Sequence, residues 1–178
     1  VSPQTDFDFF PFATNLRTME MSRVLQAKDR ARKADLAIVV VGENSMRYMW
    51  KDKTCGENVD RYELSLVGLQ QQLVEEIYAT GVPTIVVLVN GRPLGTEWIA
   101  ENIPALVEAW EPGSFGGQAV AEILYGKVNP EAKLPITIPR SAGQVQTYYN
   151  HKQTSKWFPY GTGKSTNLFE FGYGLNYA

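Results

Sequence analysis

The run Cys55-Gly56-Glu57-Asn58-Val59-Asp60-Arg61 gathers a thiol, two carboxylates and a guanidinium. Around it stand Arg47, Tyr48, Trp50, Lys51 and Lys53, and Glu43 lies ahead of them. A carboxylate in such a setting is suited to proton transfer, donating as an acid and accepting as a base. The thiol is a weaker candidate. A nucleophilic cysteine needs a base partner, and the only histidine, His151, lies far along the chain. The competing reading of Cys55 is a small residue at a turn. Glu43 either reaches a ligand or pairs with a loop cation. Most loop glutamates are solvated, so residue type alone leaves Glu57 a candidate only.

The elements around this run explain why a carboxylate there deserves weight. Residues 36–41 read Leu-Ala-Ile-Val-Val-Val, a continuous β-branched run that predicts a strand covered on both faces. Gly42-Glu43 ends it, and about twenty polar residues pass before the next apolar periodicity. A connection of that length in a compact domain is functional or disordered. Loops at the C-terminal ends of parallel strands are where open α/β sheets place ligands.

The remaining pattern alternates helix and strand. Apolar spacing predicts a helix over 18–34 through Met21, Val24, Leu25, Ala27 and Ala31. A second begins at Ser65 and stops at Gly81. Strands are predicted over 84–89, 105–110 and 134–138, with Pro135 placing the last at an edge or a strand start. A short helix over 96–101 and another from Pro112 to about Tyr125 complete the count. Residues 1–17 carry Phe7, Phe9, Phe10 and Phe12 without periodicity and read as a linker or the end of a preceding unit. Residues 18–178 form the α/β domain, with a largely parallel sheet and right-handed crossovers.

Composition excludes several classes. The chain has 178 residues, 17 basic against 19 acidic, and a net charge of -2 without a basic run, which argues against nucleic acid or an anionic membrane as partner. No apolar run is long enough to span a membrane. The opening residues lack a signal-peptide pattern. One cysteine and one histidine exclude an internal disulfide and a Cys/His metal cluster, and no metal or cofactor is expected. Gly113-Ser114-Phe115-Gly116-Gly117 and Gly161-Thr162-Gly163-Lys164-Ser165 are glycine-rich but lack the spacing of phosphate-binding loops. In Asn90-Gly91-Arg92-Pro93, a turn, Arg92 could pin a neighbouring loop through its fork of donors.

Read together, these segments resemble glycoside hydrolase family 3. The resemblance runs through residues 34–43, Gly56-Glu57-Asn58-Val59-Asp60-Arg61, residues 66–73 and residues 87–93. It continues through residues 109–117, 126–130 and 133–141, Tyr148-Tyr149-Asn150-His151-Lys152, and Phe171-Gly172-Tyr173-Gly174-Leu175-Asn176-Tyr177. Each motif is weak alone, and their order and spacing are specific. The match is to the C-terminal α/β domain of the family's β-glucosidases, and it implies a three-layer α/β/α sandwich with a mostly parallel sheet.

The resemblance also implies a retaining, exo-acting β-glycosidase. Its nucleophile, an aspartate, would lie on a preceding TIM barrel that nothing in this sequence resembles. The general acid/base would be Glu57. Asp60 and Arg61 match an Asp-Arg pair expected to organise the loop through an ion pair. Many members have glycine after the glutamate, where this chain has Asn58. Trp50 and Tyr48 either stack on the leaving-group sugar or pack the loop. The implied substrate is a β-linked oligosaccharide or glucoside, the implied location periplasmic or extracellular, and this chain alone is expected to be inactive. A third, fibronectin-like domain follows in many members and is not expected within these residues. The alternative is a domain of the same fold that binds carbohydrate or shapes an interface without chemistry.

Overall fold

A computed structural model describes residues 4–45, 50–144, 147–150 and 166–177. Its centre is a parallel sheet of β1 (Ala37–Gly42), β2 (Thr84–Val89) and β3 (Ala105–Glu108), in the order β1-β2-β3. Val39 sits opposite Val86 and Val41 opposite Leu88; Val86 in turn faces Leu106. Around the sheet lie α1 (Met21–Ala31), α2 (Gln70–Tyr78), α3 (Glu97–Asn102) and α4 (Gly116–Leu124).

One face of the sheet carries the core. Val39, Val41, Val86 and Leu88 meet Val24, Ala27 and Ala31 of α1, Leu73, Val74 and Ile77 of α2, and Ile99 of α3. These helical positions recur three or four apart, so each helix turns one stripe inward. Phe10 and Phe12 of the N-terminal segment pack against the same core, and the guanidinium groups of Arg23 and Arg30 lie 4.5 and 5.0 Å from the Phe10 ring centroid.

The other face differs from the sequence expectation. Val87 is buried, but Ile38 and Val40 on β1 are 44% and 61% exposed. A run of β-branched residues predicts burial on both faces only if something covers both, and α1 and α2 lie with the face of Val39 and Val41. The strand expected over 134–138 does not join the sheet. Pro135 and Pro139 remove backbone donors on either side, and that segment pairs instead with the C-terminal stretch, through an isolated antiparallel bridge from Ile138 to Phe169 and hydrogen bonds from Leu134 to Tyr173 and from Gly172 to Leu134. The third strand ends at Glu108, two residues early, because Trp110 turns the chain with φ of 53°.

Two features fix the end of β1, where the polar loop leaves. Gln70, 1% exposed at the start of α2, accepts from the Gly42 N–H at 2.8 Å and donates to the Gly42 carbonyl at 2.8 Å. A side-chain amide thus closes both hydrogen-bonding groups of one peptide residue. Gly42 itself permits close approach to β2, since a Cβ there would lie 1.8 Å from the Val89 carbonyl oxygen.

Candidate active site

Three loops leave the C-terminal ends of the three strands and meet at one cleft of about 260 Å³. The first, after β1, contributes Ser45, Lys53, Cys55, Gly56 and Glu57; the second, after β2, Gly91 and Arg92; the third, after β3, Glu111. Parallel strands point all three loops to the same edge, which is why residues far apart in sequence converge there.

The long loop is braced from beneath by a buried ion cluster. The Glu43 side chain is fully buried. It accepts from Arg92 Nε at 2.9 Å and Nη2 at 2.8 Å on its two oxygens, and from Arg61 Nη1 at 3.0 Å. Arg92 Nη2 also donates to the Thr54 carbonyl at 3.0 Å. A carboxylate removed from water is tolerable only when paired and hydrogen-bonded, and here one planar fork and a second cation do this. Of the two readings of Glu43, the structure gives the pairing. Arg92 pins the loop through its fork, as its position in the turn suggested. The Asp60–Arg61 pair expected from the motif is not the one formed: Arg61 turns to buried Glu43, and Asp60 is exposed.

The loop then folds back on itself. Thr54 N–H donates to the Asn44 carbonyl at 2.8 Å, and Asn44 N–H donates to Thr54 Oγ1 at 2.7 Å. Lys53 is 3% exposed; its ammonium donates to the Glu57 carbonyl at 2.5 Å and lies 4.7 Å from the Trp50 ring centroid. Val59 N–H donates to the Gly56 carbonyl at 3.0 Å, closing a turn with Glu57 at its first central position and Asn58 at its second. Asn58 has φ of 61°. That position demands a left-handed residue, which glycine or asparagine supplies. The replacement of glycine by Asn58 is therefore conservative in backbone terms.

Glu57 is exposed at the rim of the cleft. Trp50, 59% exposed, opens a short 3-10 turn, Trp50–Asp52, behind Lys53. Tyr48 and His151 lie outside the described residues, as does the Gly161–Ser165 segment. Cys55 is buried in the cleft wall, and burial followed by the nearby Glu43 and Glu111 carboxylates raises its thiol pKa. A raised thiol pKa disfavours the thiolate that nucleophilic chemistry requires. Among the described residues no cluster of three His, Cys, Asp or Glu side chains is arranged to hold a metal ion.

The residues after β3 carry more of the site than their sequence suggested. Glu108, at the strand end, accepts from Trp110 N–H at 3.0 Å, and burial lifts its carboxyl pKa to about 7. Trp110 at φ 53° is a bulky residue in a conformation normally left to glycine. Glu111 follows it into the cleft. The only advance signal was the Trp-Glu-Pro-Gly run itself, where a proline and glycine announce a turn.

An α/β domain with a parallel sheet and a carboxylate-bearing cleft at the C-terminal strand ends has the layout of an enzyme-site domain. The family model for the glycosyl hydrolase family 3 C-terminal domain matches residues 14–177, and the chain belongs to that family. Among relatives, a β-xylosidase of Formosa agariphila is 44% identical over 155 residues, which cover 85% of this chain and 20% of that protein. A periplasmic β-glucosidase of Salmonella typhimurium is 36% identical over 165 residues, again 85% of this chain and 20% of the relative. Among solved structures, a β-glucosidase from Erythrobacter marinus superposes with a TM-score of 0.79 at 38% identity, covering 88% of this chain and 21% of the other. A β-glucosidase from Listeria innocua gives 0.80 at 29% identity, covering 92% and 23%. The chain thus spans about a fifth of the length of these relatives.

Proposed function

We propose that this chain is the part of a retaining, exo-acting β-glycosidase that supplies the general acid/base, Glu57, to a sugar site completed by a barrel elsewhere in the longer protein. The observation that carries the reading is the placement of Glu57. It stands at the rim of a cleft beyond the strand ends, on a turn held by Lys53 and braced through Thr54 by the Glu43–Arg92 pair. A rigid underside and an accessible carboxyl are what a proton-transfer group mounted on a loop requires.

The reaction then runs in two steps. A barrel carboxylate attacks the anomeric carbon while Glu57 gives its proton to the departing glycosidic oxygen; Glu57 next takes a proton from water as that water releases the sugar. Retention requires the two carboxyls at about 5–5.5 Å, so the cleft must close against the barrel with Glu57 facing it. The barrel is the principal partner. The substrate is a terminal β-linked glucose or a related sugar such as xylose, in keeping with the names of the relatives. The periplasm or the cell exterior is the proposed location, on the strength of one periplasmic relative. Residues 1–17 connect to the preceding unit, and residues 18–178 form the domain.

The test is a series of aryl β-glycosides with graded leaving groups, turned over by the full-length protein and its Glu57→Gln variant. The variant should lose at least about a thousandfold in kcat/KM on poor leaving groups and much less on activated ones, because only poor leaving groups need the proton. Equal losses across the series would remove Glu57 from that role.

A further inference from the structure

Among the described residues, Glu57 is not the only carboxylate in the cleft that no hydrogen bond or ion pair engages. Arg92 is occupied by Glu43 and the Thr54 carbonyl, and the Lys53 ammonium by the Glu57 carbonyl. Among the described residues, no hydrogen bond or ion pair engages the carboxylate of Glu111, which is exposed and lines the same cleft from the third loop. Two exposed carboxylates that no donor among the described residues engages suit a ligand rich in hydroxyl donors.

The backbone behind Glu111 is arranged at a cost. Trp110 adopts φ of 53°, a conformation that strains a bulky residue. It is held by Trp110 N–H to Glu108 at 3.0 Å, Asn90 N–H to the Trp110 carbonyl at 3.2 Å, and Ala109 N–H to the Leu88 carbonyl at 2.9 Å. Opposite, Gly91 leaves room: a Cβ there would stand 3.3 Å from Glu111 Oε1. Strain on one side and a missing side chain on the other both serve to place this carboxylate at the cleft.

We propose that Glu111 is a specificity-determining residue on the leaving-group side, accepting hydrogen bonds from hydroxyls of the sugar that departs. The proposal rests on the reading of Glu57 as acid/base. The acid must approach the glycosidic oxygen, so a second acceptor on its own domain, lining the same cleft from another loop, is placed to meet the leaving group. An apolar aryl leaving group offers Glu111 no donors; a sugar offers several. Glu111 therefore favours glycosyl over aryl leaving groups.

The experiment uses the full-length protein, its Glu111→Gln variant and its Glu57→Ala variant. Each is assayed on a nitrophenyl β-glycoside and on the β-linked disaccharide of the same sugar, across pH. Glu111→Gln should lower the ratio of kcat/KM for disaccharide over nitrophenyl glycoside about tenfold, mainly by raising the disaccharide KM, with the pH profile kept. An unchanged ratio overturns the proposal. So does an equal loss on both substrates with a displaced pH profile, which would make Glu111 a modulator of the acid/base. A Glu57→Ala variant that fails on the disaccharide, beside an unchanged Glu111→Gln ratio, sinks this inference alone. A Glu57→Ala variant as fast as wild type on the disaccharide sinks the acid/base reading and this one with it.

Discussion

Replacing Arg92 with leucine probes what holds the acid/base loop. Glu43 has a fully buried side chain and receives hydrogen bonds from Arg92 at 3.2, 2.9 and 2.8 Å and from Arg61 at 3.0 Å. The substitution removes three of these four and the bond from Arg92 to the Thr54 carbonyl. Breaking a buried pair from one side costs about 3–5 kcal/mol, because the remaining charge is left underpaired. Arg61 stays in place, so the lower end, about 3 kcal/mol, is the expectation. If that cost falls on the native loop, its opening becomes about a hundredfold more frequent. Hydrogen exchange followed by mass spectrometry reads this directly, since Thr54 and Cys55 amides both donate to the Asn44 carbonyl. Peptides covering 54–57 should exchange about a hundredfold faster in Arg92→Leu, while peptides in β2 change far less. The double variant Glu43→Leu with Arg92→Leu should recover part of the loss, because no charge is then stranded. Exchange at 54–57 within threefold of wild type would refute the idea that the ion cluster braces the loop.

Two further substitutions test other supports. The raised pKa of Glu108, about 7 against an ordinary 4.5, makes the folded chain bind a proton that the unfolded chain releases. Its contribution is fully present below about pH 4.5 and lost as pH rises through about 7, a fall of about 3 kcal/mol. Urea midpoints from pH 4.5 to 8 should show this slope and Glu108→Gln should flatten it; an unaltered slope in the variant would place the titration elsewhere. Gly42→Ala should cost at least about 3 kcal/mol, since its Cβ would sit 1.8 Å from the Val89 oxygen and the β1–β2 register would have to give. A urea midpoint within about 1 kcal/mol of wild type would contradict that contact.

Much of the frame was legible because it rests on local pattern. β2 falls on the predicted residues 84–89, and Gly81 stops α2 with φ of 79°. The loop after β1 was legible as a site because length and polarity mark it. What escaped depends on distant partners. Nothing near Arg61 says that it will prefer Glu43, eighteen positions back, over the adjacent Asp60; burial of Glu43 decides it. Gln70 is one of three consecutive glutamines, yet it alone closes the end of β1 among the described bonds of that run. Ile38 and Val40 have the composition of a doubly covered strand, and coverage is a property of neighbours that composition does not contain. Glu111 was one letter of a turn motif until the fold set it beside Gly91 and in one cleft with Glu57.

The most direct test of the central claim is azide rescue of Glu57→Ala in the full-length protein. The assay uses an activated nitrophenyl β-glycoside, with product stereochemistry followed by NMR. A retaining enzyme that uses Glu57 as its base should be slow in water, recover with azide, and release the β-glycosyl azide, because azide attacks the glycosyl-enzyme without needing a base. A variant as fast as wild type, or one that azide neither accelerates nor converts to the β-azide, would contradict the assignment of Glu57.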